Sequence, residues 1–242
     1  DEAKDIAVDA SGNVYVTGST TSAGPNTNYI TIKYNSAGTQ QWATTYNGSG
    51  NGFDVANAIA IDASGNTYVT GGSDAGGQGT NFVTIKYNSA GTQQWATSYN
   101  GPGSSLDEAS QIKLDAAFNV YVSGHSFGSG TDLDIATLKY NNAGVQQWVS
   151  RFNGALNFFD VPEALHIDNL NNVYVAGATY GGLATENDFV TISGSVSLGG
   201  LITATVLNTE HQIVSVPTAN TYTFVASATA NASDTGNGGS GV

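Results

Sequence analysis

Short runs in which apolar residues alternate with polar or small ones recur along this chain. Residues 6–8 (IAV), 14–18 (VYVTG), 29–34 (YITIKY) and 40–46 (QQWATTY) each carry a period of two. That period marks a strand with one face buried. Between the first pair of runs lies Asp9-Ala10-Ser11-Gly12-Asn13, and between the second pair Asn35-Ser36-Ala37-Gly38. Asp and Asn bond their own backbone and Gly supplies left-handed conformations, so both segments predict hairpin turns. A variable stretch of about ten polar and glycine residues separates the second run from the third, a loop by composition.

The set of four runs is repeated. TIKYNSAGTQQWAT at residues 31–44 returns letter for letter at 84–97, and as TLKYNNAGVQQWVS at 137–150. Trp42, Trp95 and Trp148 are therefore 53 residues apart, as are Asp1, Asp54, Asp107 and Asp160 at the openings of the units. The first strand recurs at residues 59–61, 112–114 and 165–167, and the second ends at Gly18, Gly71, Gly124 and Gly177. Asn47-Gly48, Asn100-Gly101 and Asn153-Gly154 close three of the units. A period of this length predicts an array of supersecondary units that bury faces against one another. Four short antiparallel strands per unit predict the blade of a β-propeller, and the fold class expected is all-β. A β-solenoid is the alternative, with shorter coils and no tight hairpins.

The segment D-x-x-G-N-V-Y-V-x-G followed by [ND]-[YF]-x-T-I-K-Y-N-x-x-G-x-x-x-W resembles the bacterial secreted β-propeller repeat, the SBBP type. The resemblance spans three units and three strands of a fourth, about residues 1–192. Its G-x-x-x-W ending also resembles the tryptophan-docking motif of quinoprotein propellers, which implies that each indole packs on the adjacent blade.

The fourth unit departs from the pattern. One residue is inserted in its loop, and SGSVSLGG at residues 193–200 stands where KYNSAG is due. Strand candidates follow at 201–207, 211–216 and 221–226, then a glycine-rich stretch at 231–242 that reads as a linker. The series Val190-Thr-Ile-Ser-Gly, Gly199-Gly200, Leu207-Asn208, His211-x-Ile213 and Tyr222-x-Phe224 resembles a small β-module of tailed-phage virion and tail proteins. The expected division is thus a repeat region at 1–186 and a small β-module at 187–242.

Composition narrows the function classes. Charged residues make up 10% of the chain and the net charge is −13, with six Lys and Arg in all. Nucleic-acid binding needs a basic footprint that this chain lacks, and an anionic membrane surface is disfavoured for the same reason. The absence of cysteine excludes disulfides and thiolate metal sites. No apolar run is long enough for a membrane helix, and no signal peptide is visible. Methionine is absent even at position 1, which predicts a processed chain or a piece of a longer one.

Candidate chemistry is sparse. Gly124-His125-Ser126-Phe127-Gly128 matches G-x-S-x-G, but no helix follows it and sister units carry unrelated residues there, so it is expected to be a repeat loop. His125, His166 and His211 lack the spacing of a zinc site. Asp9, Asp62, Asp115 and Asp168 suggest calcium, as does Asp132-Leu133-Asp134, but each offers too few oxygens, and turn formation explains the first four better. Tyr15, Tyr68, Tyr121 and Tyr174, with the three tryptophans, are either a glycan-binding platform or packing between blades; recurrence in every unit favours burial between blades. Lys33, Lys86 and Lys139 are expected to pair with repeat carboxylates.

No catalytic residue, cofactor or metal is expected. The expected function is a non-enzymatic structural or attachment component of a virion, associated with its tail; the alternative is a secreted or cell-surface bacterial adhesin or binding module built from the propeller repeats. Partners would be other copies of itself, other virion or surface proteins, and a host receptor or glycan, at a virion surface or outside the cell.

Overall fold

The computed structural model describes residues 1–21, 26–77, 79–154 and 156–180, and the backbone of strands at 188–194, 211–218 and 221–226. Its hydrogen bonding follows the sequence period. The first unit forms β1 (Glu2–Val8), β2 (Val14–Thr21), β3 (Thr27–Tyr34) and β4 (Gln40–Tyr46), paired antiparallel in chain order. The second forms β5 (Asp54–Ile61), β6 (Thr67–Asp74), β7 (Thr80–Tyr87) and β8 (Gln93–Tyr99) in the same order. The third forms β9 (Asp107–Leu114), β10 (Val120–Phe127), β11 (Leu133–Tyr140) and β12 (Gln146–Phe152). These are three four-stranded blades of the β-propeller type, and no helix occurs among the described residues.

In the fourth unit β13 (Asp160–Ile167), β14 (Val173–Thr179) and β15 (Asp188–Gly194) form a three-stranded sheet. Because β15 pairs with β14 from Asp188 to Gly194, this sheet runs past the expected boundary at 186/187. β16 (His211–Thr218) and β17 (Thr221–Ala226) make a separate two-stranded sheet. The strand expected at 201–207 and the glycine-rich stretch at 231–242 lie outside the described residues.

The observed strands are longer than the alternation alone suggests. β6 and β7 continue to Asp74 and from Thr80, and Asp74 still pairs with Thr80. The loop expected to hold about ten residues is therefore mostly strand, with residues 75–79 left as the connection. Polar residues such as Ser73 and Asn81 can extend a ladder because backbone pairing does not depend on the side chain.

Blades pack face to face. β5 lies against β1, β2 and β3, β9 against β5, β6 and β7, and β13 against β9, β10 and β11. At the first junction Tyr15, Tyr29, Trp42 and Tyr46 meet Ile59, Val69, Val83, Ile85 and Tyr87. At the second, Tyr68, Phe82, Trp95 and Tyr99 meet Ile112, Val122, Ala136, Leu138 and Tyr140. At the third, Tyr121, Ile135, Trp148 and Phe152 meet Leu165, Ile167, Val173 and Val175. Period-two alternation thus gives each blade a back face rich in aromatics and a front face of branched aliphatics. Full burial of one such aliphatic side chain is worth about 1.5–3 kcal/mol, so these junctions, rather than single sheets, hold the array together.

The glycine inside each second strand, which the sequence pattern placed at its end, is required by the first strand. β1 bulges between Ala3 and Asp5, and β5 bulges between Ala56 and Ala58. The bulge presses backbone onto the glycine: a Cβ on Gly71 would lie 1.9 Å from the Val55 carbonyl oxygen, and one on Gly18 1.9 Å from that of Glu2. Only hydrogen fits there. Gly71→Ala should therefore cost about 3 kcal/mol or more, because backbone must move. Gly77→Ala, which meets nothing within 4 Å, should stay within about 0.5 kcal/mol. Urea unfolding of the two variants checks the difference.

Candidate functional site

The recurring aspartates form a closed turn cradle. Asp115 Oδ1 accepts from the amides of Ala117 and Asn119, both at 2.9 Å; Oδ2 accepts from Asn119 Nδ2 at 2.7 Å and the Tyr121 hydroxyl at 3.1 Å. Asp9, Asp62 and Asp168 repeat the same four contacts with their own units. The fourth turn residue is left-handed throughout, at Gly12, Gly65, Phe118 and Asn171. Each carboxylate thus meets four protein donors, the arrangement of a turn rather than of an open cation site. Among the described residues no group of three or more His and acidic side chains converges as a metal site.

The tryptophans dock on the next blade. Trp42 Nε1 donates to the Ser89 carbonyl at 3.1 Å, and Trp95 Nε1 to that of Asn142 at 3.0 Å. Each indole lies on the glycine of the turn it reaches. A Cβ on Gly91 would come within 2.7 Å of Trp42 Cδ2, and one on Gly144 within 2.6 Å of Trp95 Cδ2. The three indoles are half-buried at the outer strand, whereas Tyr15, Tyr68 and Tyr121 are fully buried and Tyr174 half-buried. Tyr15, Tyr68, Tyr121 and the three tryptophans are thus part of the junctions and not an open platform, while Tyr174 contacts Asp168 and His166 of its own unit.

Lys33, Lys86 and Lys139 lie over the rings of Tyr15, Tyr68 and Tyr121, with Nζ at 4.9, 5.1 and 4.9 Å from the centroids. Lys86 also donates to Asn142 Oδ1 on the next blade. The expected lysine–carboxylate ion pairs are replaced by cation–π contacts, since the carboxylate of each turn is already saturated by its own unit. Burial lowers the Lys86 ammonium below its ordinary range, with Asp62 acting in the opposite direction.

A second set of aspartates is more deeply buried than the turn set. Asp54, Asp107 and Asp160 are almost fully buried. Asp54 Oδ2 accepts from the Gly48 amide at 2.8 Å, while its Oδ1 accepts from Ser73 Oγ at 2.7 Å and the Asp74 amide at 2.9 Å. Asp107 and Asp160 hold the Gly101 and Gly154 amides in the same way, each at 2.7 Å. These carboxylates therefore clamp the connection between blades to the inner pair of strands. Burial raises the Asp160 carboxyl above its usual range, against hydrogen bonds from Thr179 and Gly154. Their role was missed from sequence, although the regular spacing of Asp54, Asp107 and Asp160 carried the signal.

The third blade breaks the repeat with a polar cluster. Where the second unit has Asn81 and Ser98, the third has Asp134 and Arg151. Arg151 Nη2 donates to Asp134 Oδ2 at 2.9 Å and to the Ser126 carbonyl at 2.8 Å. Its Nη1 donates to Ser126 Oγ at 2.5 Å and to the Tyr99 hydroxyl at 3.1 Å. Ser126 is fully buried within β10, so the G-x-S-x-G match lies in a strand and not on a turn before a helix. His125 faces Glu108 at 3.9 Å, and burial lowers its imidazole below the ordinary range while Glu108 and Asp107 pull it up. Burial opposes the Arg151 charge, but Asp134 and Tyr99 outweigh it and raise the guanidinium. His166 lies beside Tyr174, with ring centroids 6.4 Å apart, and His211 opens β16. His125 and His166 come from different sheets and do not share a site. Asp132 Oδ1 accepts the Leu133 amide, so the Asp132–Asp134 pair is divided between a backbone contact and Arg151.

Residues 1–24 match the family of SBBP beta-propeller repeats. No curated protein matches the chain.

Two outcomes follow from these contacts. Hydrogen bonds hold the carboxyls of Asp9, Asp115 and Asp168 below the ordinary 3.8 despite the opposing effect of burial. Their stabilisation is complete above that value and is lost as pH falls through the lowered folded value. Asp115→Asn, whose single amide oxygen cannot accept from all four donors that the two carboxylate oxygens serve, should cost about 1–3 kcal/mol at neutral pH and flatten part of the acid slope. Urea midpoints measured from pH 2 to 7 test both effects. Arg151→Met should cost roughly 3 kcal/mol, because it strands Asp134, whose side chain is 6% exposed. Adding Asp134→Asn should recover part of that loss in the same assay.

Proposed function

We propose that this chain is a non-enzymatic structural and attachment component displayed on a virion, associated with its tail. The observation that carries the non-enzymatic scaffold is the use of its recurring polar groups. Turn aspartates, clamp aspartates and lysines are all engaged in holding strands, turns and blades. What varies from unit to unit is the connection between second and third strands, at residues 75–79 and 128–132. These connections lie beside the linkers between blades: the Gly50 amide donates to the Asp74 carbonyl, and the Asp132 amide to that of Asn157. A constant frame with variable loops on one rim suits recognition of a host receptor or glycan. The tail placement rests on the resemblance of the stretch around β15 to β17 to small modules of tailed-phage proteins.

A second reading is a secreted or cell-surface bacterial adhesin, favoured by the repeat match at residues 1–24. Gold-labelled antibody against the blades separates the two: label on particle tails supports the first reading, and label confined to bacterial envelopes supports the second. Label on neither, with protein only in the cytosol, overturns both. For attachment, replacing residues 128–132 by Gly and Ser should weaken binding to host cells by about tenfold or more while lowering the melting temperature by no more than about 5 °C, the loss expected from the Thr131 and Asp132 side-chain contacts. Unchanged binding after replacement of every such loop would remove the attachment role.

A further inference from the structure

We propose that the front face of the first blade is a docking surface for a further blade of this same repeat, one lying outside the 242 residues. That blade would bring its own closing tryptophan to the turn Ser36-Ala37-Gly38.

Three junctions define what covers such a face. In each, the front face of a blade is covered by the aromatic back face of the blade before it. The first blade has the same front face, and among the described residues nothing covers it. Ile6 is 62% exposed, whereas its equivalents Ile59, Ile112 and Leu165 are 7%, 4% and 4% exposed. Val8 is also 62% exposed, and Val16 and Ile32 are half-buried where Val69 and Ile85 are completely covered. The surface is continuous in kind with an interface that the chain already builds three times.

The tryptophan socket identifies the occupant more sharply than apolar character does. Ser36-Ala37-Gly38 is identical to Ser89-Ala90-Gly91, and both glycines are left-handed, at φ 78° and 80°. At Gly91 the socket is filled by Trp42, and at Gly144 by Trp95; at Gly38 an added Cβ would meet nothing within 4 Å. Ser36 thus presents the carbonyl position that in Ser89 and Asn142 accepts an indole N–H.

The chain cannot supply that indole itself. It has three tryptophans, and Trp42 and Trp95 are docked on the second and third blades. Trp148 packs with Leu165, Val173 and Ile167 of the fourth. At 53 and 54 residues beyond Trp148 the sequence has Leu201 and Ile202, so the fourth unit carries no tryptophan at the docking position. Closing a ring with the fourth unit, or stacking a second copy through it, would leave the socket empty.

Hydrogen exchange on two proteins tests this: the full chain, and the same chain extended by a copy of residues 1–53 placed directly before Asp1. In the full chain, which light scattering should show to be monomeric, the amides of β1 to β3 should exchange faster than those of β5 to β7. In the extended chain they should slow by at least about tenfold. Gly38→Ala should abolish that gain in the extended chain while leaving β5 to β8 unchanged in the full chain. Three results would overturn the proposal. One is a monomeric full chain already protected at β1 to β3, which means that the chain covers its own face. Another is a dimer protected there, which makes a second copy the occupant. The third is an extended chain with no gain, or with a gain that survives Gly38→Ala.

Discussion

Everything in this molecule depends on burying one sheet face against the next. A four-stranded antiparallel sheet of this length leaves two faces to solvent, and neither half of an alternating strand is polar enough here to be left wet. The back face carries mainly aromatic rings, and the front face mainly isoleucine, valine and leucine with Tyr87 and Tyr140 among them. Flat aromatic rings against branched aliphatics give close contact with few rotamers to freeze, and the large ring areas supply most of the driving force. The first blade shows the constraint by contrast, since its Ile6 and Val8 have the same chemistry as their buried counterparts and lack only the cover.

Hydrogen bonding then sets the geometry at which those faces meet. Buried polar groups must be paired, and here the pairing is local and repeated. Paired hydroxyls such as Thr70 and Thr84, 2.9 Å apart, satisfy each other between the middle strands of a blade. Turn aspartates fix the angle of each hairpin, and the clamp aspartates fix the path from the outermost strand of one blade to the innermost strand of the next. A carboxylate suits both roles because it accepts several N–H and O–H donors at once with strong, charge-assisted bonds. The low charge of the chain is thus concentrated where it organises backbone.

The third blade shows how such a frame accepts local change. Asp134 and Arg151 replace small polar residues of the sister unit, and the guanidinium ties β10, β11 and β12 to Tyr99 of the preceding blade. The new charge comes with its partner, as burial requires. The same arginine explains the state of Ser126, whose hydroxyl accepts a guanidinium proton in a buried strand. A G-x-S-x-G string signifies a nucleophile only on a strained turn, and this backbone runs straight.

Much of the architecture was legible in the sequence, because strand, turn and repeat are encoded locally. The 53-residue period, the paired turns at Asp9 and Asn35 and their sister positions, and the four-strand unit all follow from neighbours in the chain. The docking of Trp42 was legible only as a resemblance; its acceptor, Ser89, is 47 residues away. Other features were decided by the tertiary structure. Lys33 was expected beside a carboxylate and lies over Tyr15, because which groups saturate Asp9 depends on the folded turn. Asp54 looked like a unit boundary and became a buried clamp, because burial is a property of the packed junction and not of the residue. Ile6 and Ile59 are the same residue at the same place in the unit, one exposed and one covered. Sequence sets what a face is made of, whereas only the arrangement of blades decides which faces are covered.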